Sequence, residues 1–328
     1  PQPGPNQALL YVLASEINYN DIWAITGIPV SLFDEHDEDV HVTGSGGIAL
    51  VVALGDGLQQ EGRLAVGDLV AVYSGVSDLL DPDAGYDPMF TRFQIQGYQT
   101  PDGSHQQFML VDGPQCHKPP PDLSLEQAGS YILAAGPVYR ALFHTLNVRG
   151  GARLLVEGAA TGTGAAAVRM GLAMRMRVTG MVSSPGRAAQ VEGWGAKSVN
   201  RADPELAGCF SRIPATLDGW QGWAAAGRHF LERVRAANDG QLVDFAVSHA
   251  GETAFPRSFQ ALAPGGKLTF YGASSGYHMT FLGKPGSASP EAMLHRAGMR
   301  PGDAIVVFYG IGGDARDLLR TQERHEVV

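Results

Sequence analysis

Cysteine is nearly absent: Cys116 and Cys209 are the only two in 328 residues. That excludes a disulfide framework and leads us to expect a reducing, cytoplasmic setting. No apolar run reaches membrane-spanning length and no signal peptide is visible, so a membrane partner is not expected. Charge is sparse, at 17% of residues, and acids outnumber bases 33 to 24 for a net −9. With Lys and Arg scattered, nucleic acid is not an expected partner, although a local basic pocket for an anion is compatible with an acidic chain. Zinc spacing is missing too. Neither cysteine lies in a Cys-x-x-Cys and no His-Glu-x-x-His occurs. His36 and His41 lie among acids in a loop, Asp34 to Asp39, which reads as solvated surface rather than a divalent-ion site. We expect no metal, and so no Lewis acid for alcohol chemistry.

Glycine, by contrast, is plentiful at 43 residues, as tight turns and close backbone approaches require. The first third carries β-leaning runs at 8–17, 47–54, 68–74 and 106–111, separated by Gly, Asp and Pro turns, which predicts a β-rich, partly open barrel. The stretch from Asp78 to Gln94 reads as a long loop. From Ser124, where Ser-Leu-Glu-Gln resembles a capping box, the grammar becomes helical through Leu146. Strands and helices then alternate: strand 153–157, helix 164–174, strand 177–182, helix 187–193, helix 230–238, strand 242–248, helix 253–262 and strand 267–271. This predicts an α/β domain with a doubly wound parallel sheet. A later segment, Leu294–Gly310, echoes Leu142–Gly158 as helix, Arg-x-Gly turn, strand and Gly, which suggests an extra αβ unit near the C-terminal end. The expected domains are 1–123, 124–281 and 282–328. The Pro-Gln-Pro-Gly-Pro start and the polar end read as excision points within a longer polypeptide.

The strand 153–157 runs into Gly158-Ala-Ala-Thr161-Gly162-Thr163-Gly164 and then an Ala-rich helix. Small residues admit a pyrophosphate to the backbone, and the helix N-terminus offers free N–H groups and a positive dipole. The spacing is G-x-x-x-G-x-G rather than G-x-G-x-x-G, so the strand-to-helix context carries the dinucleotide reading. After the second strand come Ser183, Ser184 and Arg187, where an NAD enzyme usually has an acid for the ribose 2′-hydroxyl. Hydroxyls and a guanidinium suit a 2′-phosphate, which points to NADPH. An Arg that merely begins a helix is the alternative.

Several segments together resemble one family. Asn18-Tyr19-Asn20-Asp21-Ile-Trp23 resembles the N-Y-N-x-x-W of crotonyl-CoA carboxylase/reductases, His41-Val-Thr-Gly44-Ser45 their H-V-x-G-S, and Gly97-Tyr98-Gln99-Thr100 their G-[FY]-E-T. Ala135–Arg140, Asp244–Gly251 and Gly272–Tyr277 match a helix start and two strand ends. The resemblance spans residues 1 to about 281. It implies a zinc-free medium-chain dehydrogenase/reductase with a GroES-like domain, an NADP-binding Rossmann domain, and an acyl-CoA thioester as substrate. A homo-oligomer is expected. Past Tyr277 the chain departs from the family and is similar to the reductase part of propionyl-CoA synthases, fused enzymes that reduce acrylyl-CoA. That implies neighbouring domains as partners. The family's CO2-holding Glu is Gln99 here and its His segment is missing, which implies protonation rather than carboxylation of the enolate.

The expected chemistry is hydride transfer to the β-carbon of an enoyl thioester, with donors near the thioester oxygen. Asn18, Tyr19 and Asn20 are candidates there, with Tyr98 and Gln99 beside them and Tyr19 or Tyr98 as possible proton sources. Each has a plainer reading: the two Asn close a turn and Tyr19 packs in the core. Tyr139, Gly272, Ala273 and Ser274 are the further cofactor candidates, and packing is the alternative for Tyr139. His249, at a strand end, reads first as a hydrogen-bonded structural residue. Two other functions remain: a zinc-free quinone or alkenal reductase, and a non-catalytic domain of a multienzyme.

Overall fold

The computed structural model describes residues 2–27, 31–34, 36–78, 80–82, 93–212, 214, 217–272, 274–275 and 305–307. Most of the expected 78–94 loop, Ala273 and most of the echo unit lie outside them. The described residues fall into two compact units, divided after Gly136.

In the first unit, β1 (Gln7–Ser15) is followed by α1 (Tyr19–Thr26), β2 (Gly46–Leu54), α2 (Asp56–Glu61) and β3 (Leu69–Tyr73). Then come β4 (Gly75–Val76), β5 (Gln94–Ile95), β6 (Phe108–Asp112) and β7 (Cys116–His117). An antiparallel sheet runs β6-β1-β2-β3-β7, with β4-β5 as a separate ribbon. Period-two alternation drives it: Ala8, Leu10, Ala49, Val51, Val70, Val72, Met109 and Val111 point into one core, whereas Tyr11 and Leu13 stay exposed. Two irregularities in the β1–β2 register, at Leu9/Leu10 and Val12/Ala14, curl the sheet into a GroES-like half-barrel.

The second unit follows α3 (Leu125–Tyr139), which holds Pro137 and continues as a π-helical turn, Arg140–Thr145. Proline cannot donate to the carbonyl four residues back, and the ladder widens just beyond it, with Leu146 N–H reaching Ala141 O at 2.9 Å. Next come β8 (Arg153–Val156), α4 (Gly162–Ala173), β9 (Arg177–Val182), α5 (Pro185–Gly193) and β10 (Lys197–Asn200). The chain proceeds through α6 (Leu217–Ala237), β11 (Val243–Ser248), α7 (Phe255–Gln260), β12 (Leu262–Phe270) and β13 (Ile305–Val307). The six strands are parallel in the order β10-β9-β8-β11-β12-β13. This is the Rossmann arrangement, which reverses direction between β8 and β11, where ligands of such sheets bind. Its two faces bury separate cores. Leu154, Val156 and Val247 pack with α4 and α5, and Leu155 and Ala246 pack with α6 and α7.

Some expected boundaries need correction. No helix was expected at α1 or α2, and no strand at β10. The helix expected at 230–238 begins at Leu217, because Trp223 and Phe230 are buried and its glycines are tolerated. A Cβ at Gly227 would lie 2.1 Å from the Nη1 of Arg257, a guanidinium stacked over Trp223. The helix expected at 253–262 is confined to Phe255–Gln260. Strand β12 starts at Leu262, not Lys267, and absorbs Pro264-Gly265 through a register shift against β11.

Candidate functional site

At the switch point, β8 ends at Val156 and Gly158 turns the chain with φ +53°. Thr161 N–H and Oγ1 both donate to Gly158 O, at 2.8 and 2.7 Å, just before α4 opens at Gly162. A Cβ at Gly164 would lie 2.1 Å from Gly158 O, so only glycine lets the helix seat this close. The expected loop residues Gly158, Thr161, Gly162, Thr163 and Gly164 are thus brought together in one turn that leads into α4, whose first N–H groups have no partner within the helix.

At the end of β9, Ser184 caps α5 by accepting from Arg187 N–H at 3.4 Å, and Arg187 Nη1 donates to Ser183 Oγ at 2.9 Å. Two hydroxyls and one exposed guanidinium therefore cluster where the sequence places no acid.

Across the switch point, the imidazole of His249 lies against the glycine turn: a Cβ at Gly158 would meet its Nε2 at 2.5 Å. Thr161 Oγ1 is 3.4 Å from Nε2, and the ring stacks on Tyr271 at 6.1 Å. Beneath them Glu157 is fully buried. Its carboxylate accepts from the Ser258 hydroxyl and from Ala250 N–H at 3.1 Å. Burial lowers the His249 pKa while the Glu157 charge opposes that; burial also pushes the Tyr271 phenol well up. Ser274 N–H donates to His249 O at 3.3 Å, and Gly272 follows Tyr271. Ala273 lies outside the described residues. Tyr139 is half exposed and its ring tilts against Phe143 at 4.7 Å.

In the first unit, Asn18 is the N-cap of α1. Its Oδ1 accepts from Asn20 N–H at 2.8 Å, while Asp21 Oδ2 accepts from Asn18 N–H at 2.7 Å. The plain turn-closing reading of Asn18 is therefore met by its oxygen. Its Nδ2, and Asp21 Oδ1, are buried without a hydrogen-bond partner among the described residues. Asn20 Nδ2 reaches Ser45 Oγ at 3.4 Å. Tyr19 is 50% exposed and packs edge-on against Trp23, so it is not a core residue. Tyr98 and Gln99 are buried in the turn after β5, where Gln99 Oε1 accepts from Ile95 N–H at 3.0 Å.

His36 and His41 are hydrogen-bonded to each other. Glu38 N–H meets His36 Nδ1 at 3.2 Å, His36 Nε2 meets His41 Nδ1 at 2.8 Å, and His41 Nε2 meets Gly97 O at 3.1 Å. Only one arrangement of neutral rings satisfies all three contacts, with each Nε2–H donating onward toward the turn that carries Tyr98 and Gln99. The sequence reading missed Glu16, Asp21 and Glu157. A carboxylate at a strand end carries no sequence signal of burial.

No family model matches the sequence. The chain is 34% identical over 288 residues to the crotonyl-CoA carboxylase/reductase of Cereibacter sphaeroides, covering 86% of this chain and 66% of that protein. It is 27% identical over 300 residues to the crotonyl-CoA reductase of Streptomyces collinus, covering 84% and 64%. The chain thus spans just under two thirds of the length of these relatives. Among solved structures, the 2-octenoyl-CoA carboxylase reductase CinF, in complex with NADP and 2-octenoyl-CoA, superposes with a TM-score of 0.80 at 26% identity, over 98% of this chain and 71% of that one. With the Rossmann strand order, the half-barrel and these relatives together, the chain belongs to the crotonyl-CoA carboxylase/reductase-like branch of the medium-chain dehydrogenase/reductase family.

Proposed function

We propose that the chain carries out NADPH-dependent reduction of an α,β-unsaturated acyl-CoA, adding a hydride at the β-carbon and a proton at the α-carbon. The carrying observation is the glycine turn at the β8–β11 switch point with Ser183, Ser184 and Arg187 beside it and no acid at the end of β9. These residues fit the cofactor: the first turn of α4 receives the pyrophosphate, and Arg187 with the two serines holds the 2′-phosphate. Tyr139, Gly272, Ala273 and Ser274 are assigned to the nicotinamide half, joined by His249. When bound, NADPH supplies the hydride. The relative CinF, solved with NADP and 2-octenoyl-CoA, supports the same pairing of ligands.

The chain's own part is to polarise the thioester. Negative charge gathers on its oxygen as hydride arrives, and preorganised donors lower that barrier, each by about 3 kcal/mol where it is well placed. The Asn18 amide is such a donor: its oxygen is committed to the helix cap and its Nδ2 is not. Asn20 and Tyr19 flank it, and Tyr98 and Gln99 belong to the same half-barrel. Residues 1–123 make up the substrate domain and 124–281 the cofactor domain, to whose sheet Ile305–Val307 of the 282–328 stretch adds a sixth strand. The parent is a fused synthase of the propionyl-CoA type, with acrylyl-CoA as the substrate. Titration with NADPH and NADH, then assay with acrylyl-CoA, crotonyl-CoA and a free enone, tests this. Turnover of thioesters but not of the enone is expected; preference for the enone would make the protein a quinone or alkenal reductase.

A further inference from the structure

Reduction of a carbon–carbon double bond consumes a proton as well as a hydride, and the half-barrel holds a largely buried carboxyl group close to the Asn18–Asn20 turn. Glu16 follows β1, two residues before Asn18. Its Oε1 occupies the space above Gly46, where a Cβ would lie only 2.6 Å away. Ser45, next to Gly46, receives the Asn20 amide. Glu16 and Asn20 therefore converge on the same two residues of the half-barrel, and glycine at 46 is what makes room for the carboxyl group.

We propose that Glu16 is the general acid that protonates the α-carbon, a role that rests on the reductase reading above. In the step, the Glu16 O–H bond breaks and a C–H bond forms at the α-carbon as the enolate electrons return. NADPH is oxidised, the double bond is reduced, and the Glu16 carboxylate recovers a proton from water.

The surroundings keep this acid protonated. Asp21 of α1 is the charged group facing it, with one oxygen on Asn18 N–H and the other without a partner among the described residues. His105 donates Nε2–H to the Glu16 main-chain carbonyl at 3.1 Å and meets the Thr43 hydroxyl through Nδ1 at 2.9 Å. From β2 Gly46 lies against its Oε1, and no salt bridge to Glu16 exists among the described residues. Burial, with Asp21 adding to it, pushes the Glu16 carboxyl up to about 8. It is thus the acid form at neutral pH, and a proton donor whose pKa lies near the working pH is the effective kind.

The test uses the purified chain with NADPH and crotonyl-CoA. Rates are followed from pH 6 to 10, and the α-carbon is analysed for deuterium after turnover in D2O. The wild type should lose kcat/KM above about pH 8 and place deuterium on one face. Glu16→Gln should lower kcat by about a hundredfold, in the range for a general acid. It should also abolish that descending limb and scatter deuterium over both faces, with NADPH affinity by fluorescence unchanged. Glu16→Asp should keep the limb at an intermediate rate, and it serves as the test if the Gln variant fails to fold. A Glu16→Gln protein that keeps both the limb and the single face overturns the assignment while leaving the reductase reading intact. A wild type that binds NADPH but reduces neither crotonyl-CoA nor acrylyl-CoA overturns both.

Discussion

At the scale of single residues, the proposed choice of NADPH depends on one guanidinium. Arg187 lies folded onto Ser183, exposed and free to fork onto a phosphate. Arg187→Ala should weaken NADPH binding about tenfold or more and leave NADH nearly unchanged, read by quenching of protein fluorescence. Equal losses for both cofactors would remove the 2′-phosphate assignment. His41 gives a second expectation. Burial first, opposed by its bond to Gly97 O and by Asp102, lowers its folded pKa below the ordinary 6.5. A lowered value in the folded state means the neutral ring contributes stability above pH 6.5, and that contribution is lost as pH falls through the folded value. Protonation of either histidine also removes an acceptor from the chain that runs from Glu38 to Gly97. Melting temperature should drop between pH 7 and 5, and His41→Gln should flatten that drop. An unchanged slope in the variant would show that the pair does not govern acid stability.

At the scale of elements, the glycine turn and the start of α4 behave as one piece. Gly164→Val puts carbon where Gly158 O already stands, so α4 must shift away from β8. We expect a loss of about 1–3 kcal/mol in stability, as for an overpacked site, together with loss of detectable NADPH binding. Full binding by the variant would show that the close approach is not needed. The parallel sheet was legible because β8, β9, β11 and β12 each pair an apolar run with a glycine or capping signal; that β13 of the echo unit joins the same sheet was not. Strand β10, Lys-Ser-Val-Asn, is too short and polar to announce itself; pairing with β9 makes it a strand. Helix α6 hid behind Gly219, Gly222 and Gly227, which propensity counts as breakers and packing against α7 and Arg257 excuses. Four half-barrel strands, β1, β2, β3 and β6, were readable as β-leaning runs between turn residues; the two-residue strands β4, β5 and β7 were not. The candidate site was readable only where a motif named it: the Asn18–Asn20 cap and the glycine loop. Glu16 and Glu157 depend on what surrounds them in space, which no local pattern encodes.

At the scale of the whole molecule, the relatives' names include both carboxylase and reductase, and the outcome for the enolate separates the two. Gln99 keeps its Oε1 on the Ile95 N–H and cannot supply a carboxylate's charge. With NADPH, acrylyl-CoA and saturating bicarbonate, propionyl-CoA should be nearly the sole product by mass analysis. Methylmalonyl-CoA as a major product would mean that the CO2 pocket survives without the acid. The sixth strand of the sheet carries a different consequence. Ile305–Val307 runs beside Leu268–Phe270, although more than thirty residues separate them along the chain. A chain that stops short of Ile305 leaves that side of β12 with a row of unanswered N–H and C=O groups. Such an edge recruits whatever strand it meets, so early termination or proteolysis here would appear as clumping and loss from solution before it appeared as lost catalysis.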